Sequence, residues 1–391
     1  MKGVASKVLI ALGILLILAA ILWWAIAVNA LVKLPDDIDG TTEYEGTFTY
    51  YVDPQTNEPL AEGEEIAFDM KVERDIVTNA AEFDSSTGIV DEEVRITIGP
   101  IAQTPMLSAF ALDRKTMENV EDDRAWAYDP SNVVNRAGSY YPLLGFDVSK
   151  DETYPVWKGE ILEPVEAAFI NEEEKEGVTV YNFGGTINPE DRKEVDPLYI
   201  AGLGLPSEVT FTDIKPQLTA MGVDADALIT LARQVLSAED QQALNQLLQE
   251  PIPIKYYWGG EIEISVEPKT GIPVDSYKDI EALYMELDYT QLAGLFTILA
   301  NYSNDPVLGP ALAQLQDLQA QLGEMELQRI FEYSYEQTDE TVKDAIDEAK
   351  DSAGLINLVK VYIPWALLIV GALLLIIGLL IGGGTAPEAE E

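Results

Sequence analysis

Cysteine and histidine are both missing from the 391-residue sequence. Without cysteine the chain can form no disulfide, and without either residue it has no ordinary ligand set for zinc, haem or an iron–sulfur cluster. Ser-His-Asp and Cys-His catalysis are excluded for the same reason. The phosphate-binding pattern G-x-x-x-x-G-K-[ST] and the nucleophile pattern G-x-S-x-G are also absent. We therefore expect a protein that is not an enzyme and that has no cofactor, no catalytic residue and no metal site.

Positive charge is scarce as well. Lys and Arg number 24 against 68 Asp and Glu, which gives a formal net charge of −44. Proteins that bind nucleic acid need Lys and Arg for the phosphates, so we predict no nucleic-acid partner. Such acidity serves solubility, adaptation to high salt or cation binding, and the composition leaves all three open. The chain is not a disordered acidic one, because 47% of its residues are hydrophobic and 18 are Tyr.

Two long apolar runs lie near the two ends of the chain. The second run, Leu358–Ile381, has no charged residue from Val361 onward. About 21 residues that rise about 1.5 Å each span the roughly 30 Å hydrocarbon core of a bilayer. Lys360 and Trp365 lie at its front edge, where amphipathic side chains favour the headgroup region. We predict a transmembrane helix over 358–381 and an acidic cytoplasmic tail over 382–391.

The first run, residues 8–32, follows Lys2 and Lys7. A secretory signal peptide begins in the same way, and Val28–Ala30 has the small residues of a cleavage site. The apolar region of a signal peptide is usually roughly 7–15 residues, whereas this run is about 25 long, which favours an uncleaved anchor. The two lysines predict that residues 1–7 are cytoplasmic. We therefore predict a plasma-membrane protein with both termini cytoplasmic and its large domain on the extracytoplasmic side.

Small residues recur at heptad spacing within both runs. In the first run they are Gly13, Ala20 and Ala27, and in the second they are Gly371 and Gly378. Small side chains let membrane helices approach closely, which predicts that these residues pack the anchors against each other or against a partner. The ordinary Gly and Ala content of membrane helices produces the same pattern, so both interpretations stay open.

Residues 33–338 form the predicted extracytoplasmic domain, in which apolar and polar side chains alternate with period two. Ile66, Phe68, Met70 and Val72 alternate with Ala67 and then with charged residues, and Val94, Ile96 and Ile98 alternate with polar residues. This period is typical of antiparallel strands with one wet face. Further strands are predicted near residues 44–50, 109–113, 124–128, 153–158, 177–187, 208–212, 256–268, 272–283 and 331–335.

Helical periodicity appears in three places in the second half. A block over 214–250 has a capped restart at Ser237, a second block covers 289–323 with Thr290 as its first cap, and a polar juxtamembrane helix covers 339–357. The first block is interpreted either as a helical hairpin packed on the sheet or as a lid or membrane-dipping element. The fold class that follows is α+β: a mainly antiparallel, curled, half-barrel-like sheet with packed helices and one transmembrane helix at each end. An internal duplication of strands followed by helices is a further interpretation.

One triplet has the form of a modification site. Asn301-Tyr302-Ser303 is an N-glycosylation sequon. Such triplets also arise by chance, and their use depends on the organism. Asn301 is therefore a candidate glycosylation site only.

Four phrases of the central region are distinctive. They are Leu112–Thr116 (LDRKT), Tyr141–Ile161 (YPLLGFDVSKDETYPVWKGEI), Gly177–Phe183 (GVTVYNF) and Val266–Gly271 (VEPKTG). With one span at each end, they resemble the porin PorA family of envelope proteins. The resemblance implies the fold and, through the family's name, a channel. By topology alone, the chain is also similar to twice-anchored scavenger receptors and to lipid carriers of the LolA type.

The leading functional hypothesis is a twice-anchored cell-surface protein that binds an apolar ligand such as a lipid, or that serves in envelope assembly. Its expected partners are membrane lipids, other envelope proteins or further copies of the same chain. The alternatives are an oligomeric channel built from the spans and a structural surface protein or accessory subunit of a larger membrane complex. Residues 8–32 and 361–381 contain no charged residue that could line a pore, which argues against the channel.

Overall fold

The computed structural model describes residues 2–54, 60–61, 63–220, 222–309 and 327–382. Within these residues, fourteen strands form the body of the protein. The strands are β1 (Asp39–Tyr50), β2 (Ile66–Thr78), β3 (Thr87–Ile98), β4 (Ile101–Ala102), β5 (Met106–Asp113), β6 (Trp126–Ala127), β7 (Tyr154–Lys158), β8 (Glu163–Lys175), β9 (Val178–Ile187), β10 (Lys193–Glu194), β11 (Glu208–Val209), β12 (Ile252–Val266), β13 (Pro273–Leu287) and β14 (Gln328–Gln337).

The α-helices lie at both ends of the chain and in its second half. They are α1 (Lys2–Leu22), α2 (Pro197–Gly202), α3 (Phe211–Ala220), α4 (Ala225–Val235), α5 (Ala238–Leu247), α6 (Leu292–Ala300), α7 (Asp339–Asn357) and α8 (Ile363–Gly382). A π-helical turn, Trp23–Ala27, extends α1 into a final α-helical turn, Val28–Leu31, and a second π-helical turn, Leu358–Tyr362, joins α7 to α8.

The main sheet follows the spatial order β6-β5-β3-β2-β1-β14-β13-β12-β9-β8-β7. The first and last strands of the chain, β1 and β14, are therefore neighbours in its middle, paired antiparallel from Tyr44–Gln337 to Tyr50–Phe331. The first helical segment ends shortly before β1 begins, and α7 begins directly after β14 ends. This closeness of the two strands places both apolar terminal helices at the same end of the sheet.

The sheet curls until its two edges approach each other. The segment between β5 and β7 connects them through isolated bridges, which pair Leu112 with Asn119, Glu118 with Tyr140, and Tyr140 with Val156 of β7. The alternation within the strands then decides what lies inside the curl. On β2, Met70 and Val72 are buried whereas Lys71 and Glu73 are exposed. The predicted α+β class, with a curled antiparallel half-barrel sheet and an apolar helix at each end, is confirmed.

A second apolar cluster lies at the end of the sheet opposite the terminal helices. The cluster is formed by helices α3, α4, α5 and α6 together with Ile252 at the start of β12 and Leu287 at the end of β13. Its buried members include Phe211, Leu244 and Leu299. The predicted cap at Ser237 is present, since its hydroxyl accepts a hydrogen bond from the Asp240 N–H at 3.2 Å. The helical blocks predicted at 214–250 and 289–323 thus share one cluster, and residues 310–323 of the second block lie outside the described residues.

Several predicted boundaries were wrong. The strand predicted at 208–212 is only Glu208–Val209, because the Asp213 carboxylate accepts hydrogen bonds from the N–H and hydroxyl of Thr210 and a helix begins at Phe211. The strand predicted at 124–128 is only Trp126–Ala127. Thr290 is not a cap, since its hydroxyl and N–H both donate to Asp288.

One long strand was not predicted at all. β8 (Glu163–Lys175) ends in a run of acidic residues that lacks the apolar alternation of a half-buried strand. It pairs with β9 as far as Lys175–Val178, where a tight turn joins the two strands. The pairing of β8 therefore depends on its neighbour more than on its own pattern.

Two helical stretches are long and apolar enough to cross a membrane, by length and composition: Gly3–Leu31 and Asp339–Gly382. In the second stretch, α7 is the polar part and α8 is the apolar part. α7 also contacts the sheet, because Ile346 and Ala349 are buried against Val178, Val180 and Val274. This contact ties the juxtamembrane helix to the strands.

Candidate functional site

Three of the small residues predicted to pack the anchors, Gly13, Gly371 and Gly378, lie where α1 and α8 touch. A Cβ added to Gly13 would stand 2.6 Å from the Gly371 carbonyl oxygen, and one added to Gly371 would stand 2.9 Å from the Gly13 carbonyl oxygen. One added to Gly378 would meet the Ile10 side chain at 2.8 Å. Ala20 is fully buried, whereas Ala27, in the π-helical turn, is half-buried. Close approach of the two helices at the Gly13–Gly371 pair and at Gly378 therefore requires the absence of a side chain.

The two π-helical turns face each other where the apolar helices meet the rest of the protein. The indole N–H of Trp23 donates to the Val359 carbonyl, and that of Trp24 donates to the Lys360 carbonyl, both at 2.9 Å. The Lys360 ammonium in turn donates to the Asp147 carboxylate at 2.6 Å. These bonds link both terminal helices to each other and to a loop of the sheet domain.

A cavity of about 850 Å³ lies inside the curl of the sheet. Its walls are mostly apolar and come from the inward-facing positions of β1, β2, β3, β5 and β14. These inward-facing residues include Phe48, Met70, Val72, Ile76, Val90, Val94, Ile96, Phe110 and Phe331. Such a volume lies within the roughly 300–1,000 Å³ that is usual for small-molecule sites.

One end of the cavity reaches the terminal helices. Its lining includes Leu31 and Val32, at the end of the first apolar helical stretch, and Leu355 and Ile356, which precede α8. Leu31 is 57% exposed and Leu355 is 64% exposed. Large apolar side chains that stand this exposed beside a cavity form a hydrophobic mouth. The mouth is adjacent to both apolar helices.

Two groups of charged side chains interrupt the apolar walls. The first is the arginine cluster, formed by Arg74, Glu92, Tyr141 and Arg136, all of which line the cavity. The Arg74 Nε donates to Glu92 at 2.6 Å, and the Tyr141 hydroxyl donates to the same carboxylate at 2.6 Å. Arg136 donates to the backbone carbonyls of Ala109 and Trp126 and stacks over Phe110 at 4.2 Å.

The arginine cluster leaves hydrogen-bond donors unused. Within the described residues, the Arg74 Nη2 and the Arg136 Nε are buried and have no hydrogen-bond partner. Burial alone would lower the pKa of Arg74, but the adjacent Tyr141 and Glu92 outweigh burial and raise it. Burial lowers the pKa of Arg136 to about 10, which still leaves it protonated at neutral pH. Both guanidinium groups are therefore positively charged.

The second group is the lysine cluster, formed by Lys158, Glu160, Glu281 and Tyr333. The Lys158 ammonium donates to both carboxylate oxygens of Glu281, at 2.6 and 2.7 Å, and to Glu160 at 2.9 Å. The Tyr333 hydroxyl donates to Glu281 at 2.5 Å. An ammonium has three N–H groups, so all of its donors are used here. Burial, then Glu281 and Glu160, raise the pKa of Tyr333 well above its usual value.

Sequence reasoning did not identify either cluster, although a signal for the first was present. The alternation Phe68, Met70, Val72 continues on the same face to Arg74, and the alternation Val94, Ile96 extends backward to Glu92. A charged residue at an inward position conflicts with the pattern around it, and such conflicts mark functional or strained sites. The lysine cluster carries no comparable signal, because Lys158 and Glu281 are 123 residues apart.

The remaining candidate site lies away from the cavity. Asn301 is exposed in the turn that follows α6, and its N–H donates to the Ile298 carbonyl. Exposure is compatible with glycosylation, which stays a prediction. Among the described residues, no group of three or more Asp and Glu side chains is placed to hold a metal ion.

Comparison with known proteins agrees with this architecture. The family model described as Porin PorA matches residues 5–380, which include both apolar helices and the whole sheet. No curated protein matches the chain. The phrases Tyr141–Ile161 and Val266–Gly271 meet in the structure, since the Leu144 N–H donates to the Gly271 carbonyl and the Val148 N–H donates to the Pro268 carbonyl.

Proposed function

Because this chain belongs to the PorA porin family and its internal cavity opens beside both apolar helices, we propose that it is a membrane protein that takes up an apolar, lipid-like ligand from the bilayer. The observation that carries the proposal is the continuity of one cavity from Leu31 and Leu355 at the mouth to Phe48 and Phe331 inside the sheet. A ligand moving along this route would pass from the lipid of the bilayer directly into contact with the apolar walls of the cavity. Its hydrocarbon would stay out of water throughout.

The size of the cavity supports one slender ligand. About 850 Å³ suits a single drug-sized molecule. Burial of apolar area contributes roughly 25 cal/mol per Å², so even one acyl chain would gain several kcal/mol from full enclosure. A single-chain amphiphile therefore fits the proposal better than a lipid with two long chains.

The proposed setting follows the charge of the N-terminus. Lys2 and Lys7 favour cytoplasmic termini, which would place the sheet domain on the extracytoplasmic side of the plasma membrane. We propose a binding role rather than a catalytic one, with membrane lipids as the first partner. Delivery of the ligand to another envelope protein, or to a second copy, would make the chain part of envelope assembly.

The test is native mass spectrometry of the full-length protein released gently from its own membrane. We expect a discrete added mass that organic extraction identifies as a lipid. Val94→Trp, which would fill the cavity from β3, should remove that mass. Glu93→Trp, the adjacent outward position on the same strand, is the matched control and should retain it. A folded wild-type protein that never carries added mass, and that takes up no added amphiphile, would refute the binding function.

The family description names a porin, and a channel is therefore the second candidate function. It requires association of the apolar helices into a pore, since a single pair encloses no channel. Planar-bilayer recording of the purified protein tests it. Stepwise conductance that survives Val94→Trp would favour the channel, whereas ligand uptake without conductance would favour the lipid-binding role. Release together with other envelope proteins would instead indicate an accessory subunit.

A further inference from the structure

We propose that the arginine cluster recognises an anionic head, a carboxylate or a phosphate monoester, at the end of the ligand's apolar chain. The inference rests on the proposed function and specifies its ligand class. In this inference, Arg74 and Arg136 are the residues that select the ligand by its head group. The apolar walls would hold the chain without distinguishing one head from another.

The first argument is the balance of charge. Arg74 and Arg136 are both protonated at neutral pH. Among the hydrogen bonds of the described residues, Glu92 supplies the carboxylate partner of Arg74, and Arg136 bonds backbone carbonyls. Two buried positive charges thus share one negative charge. A buried charge that lacks a partner is strongly unfavourable, and an anionic ligand would supply the missing one.

The second argument is the supply of donors. The Arg74 Nη2 is buried without a partner in the described part of the chain, and Arg74 lines the cavity. Guanidinium groups bond carboxylate and phosphate oxygens through paired N–H groups, with bonds roughly twice as strong as those between neutral groups. A neutral alcohol could accept the same hydrogen bond but would leave the excess charge uncompensated.

The third argument is the contrast with the lysine cluster, which lines the same cavity. Each of its three ammonium contacts is made to a carboxylate of the protein, from Glu281 or Glu160. It also carries one positive charge against two negative ones, which would repel an anion. An anionic head would therefore bind at Arg74 and Arg136 rather than at the lysine cluster.

The position of Arg74 also suits a head with a chain attached. Along β2, Arg74 lies between Val72 on the side of the cavity interior and Ile76 on the side of the mouth. Beyond Val72, the inner wall continues through Met70 and Phe48 without a charge. A chain extending from the head at Arg74 would thus lie against apolar side chains.

The test measures binding of four probes to the detergent-solubilised full-length protein by titration calorimetry. They are palmitate, hexadecyl phosphate, hexadecanol and inorganic phosphate. We expect palmitate and hexadecyl phosphate to bind at least about tenfold more tightly than hexadecanol, because each gains a charge-assisted hydrogen bond. Inorganic phosphate, which lacks a chain, should bind far more weakly. A preference for one anionic amphiphile would identify the source of the head.

The double variant Arg74→Gln/Glu92→Gln removes one charge of each sign, so it avoids leaving Glu92 buried and unpaired. It removes the paired N–H groups of Arg74 but keeps the charge of Arg136, so it should reduce the preference for palmitate while binding hexadecanol as the wild type does. Arg95→Gln is the control, because Arg95 lies on β3 but pairs outward with Glu73 and Asp75. It should keep the preference.

Different failures identify different errors. If the wild type binds palmitate and hexadecanol with equal affinity, the anionic-head inference is wrong and the lipid-binding role survives. If the double variant retains the full preference for palmitate, Arg74 is not the recognition residue and the inference is also overturned. If no amphiphile binds the folded wild type, the proposed function itself fails.

Discussion

The lysine cluster and the arginine cluster lie on the same inner surface, yet they use their charges differently. In the lysine cluster, every donor of Lys158 meets a carboxylate and the Tyr333 hydroxyl completes the network around Glu281. In the arginine cluster, Arg74 keeps a buried nitrogen without a partner among the described residues. A saturated network can stabilise strands but has nothing to offer a ligand. An unsaturated one costs folding free energy and leaves a site for an acceptor.

The largest expected effect comes from removing one side of the saturated network. Glu281→Leu would leave Lys158 buried opposite Glu160 alone and should reduce the free energy of unfolding by about 3–5 kcal/mol. The double variant Lys158→Met/Glu281→Leu should recover most of this loss, because apolar residues of similar size replace both partners. Thermal unfolding in detergent measures the difference between the two variants. A double variant as unstable as the single one would mean that packing, not charge, dominates this position.

An intermediate effect should distinguish the two tyrosines. Tyr333→Phe removes a hydrogen bond to a buried carboxylate and should cost about 1.5–3 kcal/mol, since Lys158 has no donor left to replace it. Tyr141→Phe removes the equivalent bond to Glu92 and should cost only about 1 kcal/mol, because Arg74 Nε still donates to the same carboxylate oxygen and the unpartnered Arg74 nitrogen can replace the lost donor.

The same thermal measurement compares these two tyrosine variants, and each keeps nearly all of its original volume. Lys71→Met serves as a control for charge loss at an exposed pair, where the Lys71–Glu45 contact should contribute very little. Equal losses at Tyr141 and Tyr333 would contradict the distinction between a saturated and an unsaturated cluster.

The difference between the clusters also shows how far the sequence can be interpreted. Period-two alternation predicted the curled sheet. Its continuation from Val72 to Arg74 would also have predicted an inward arginine, although that prediction was not made. The contact of Lys158 with Glu281 could not be predicted, because it depends on the curl of the sheet, which brings the end of β7 against the inner face of β13. Strand β8 was missed for a related reason. Its acidic end gains strand structure from pairing with β9 rather than from its own pattern.

The contact between the two apolar helices could be predicted only in part. Heptad spacing singled out Gly13 and Gly371 before any helix position was known, and the structure places them in direct backbone contact. Spacing alone could not separate contact between the two anchors from contact with a partner, because a small residue permits close approach on any helix face. The indole bonds of Trp23 and Trp24 to the π-helical turn had no sequence signal.

The smallest expected difference between the clusters is their response to alkaline pH. Burial raises the pKa of both Tyr141 and Tyr333 well above 10. An unfolded tyrosine loses its proton near pH 10, whereas these tyrosines keep theirs while the protein is folded. Stability is therefore complete below about pH 10 and falls as the pH rises toward the folded-state pKa, by at most about 1.4 kcal/mol per pH unit for each residue.

Both tyrosine variants should reduce this alkaline slope by the same amount, because each removes one proton that only the unfolded chain releases. Unfolding midpoints at about pH 8 and about pH 11, followed with tyrosinate absorbance, measure the slope for the wild type, Tyr141→Phe and Tyr333→Phe. An unchanged slope in Tyr141→Phe alone would mean that this hydroxyl ionises freely in the folded protein. The arginine cluster would then be exposed to water in the cavity. The charge of Arg136, which has no carboxylate partner, would be compensated by solvent instead of by a ligand.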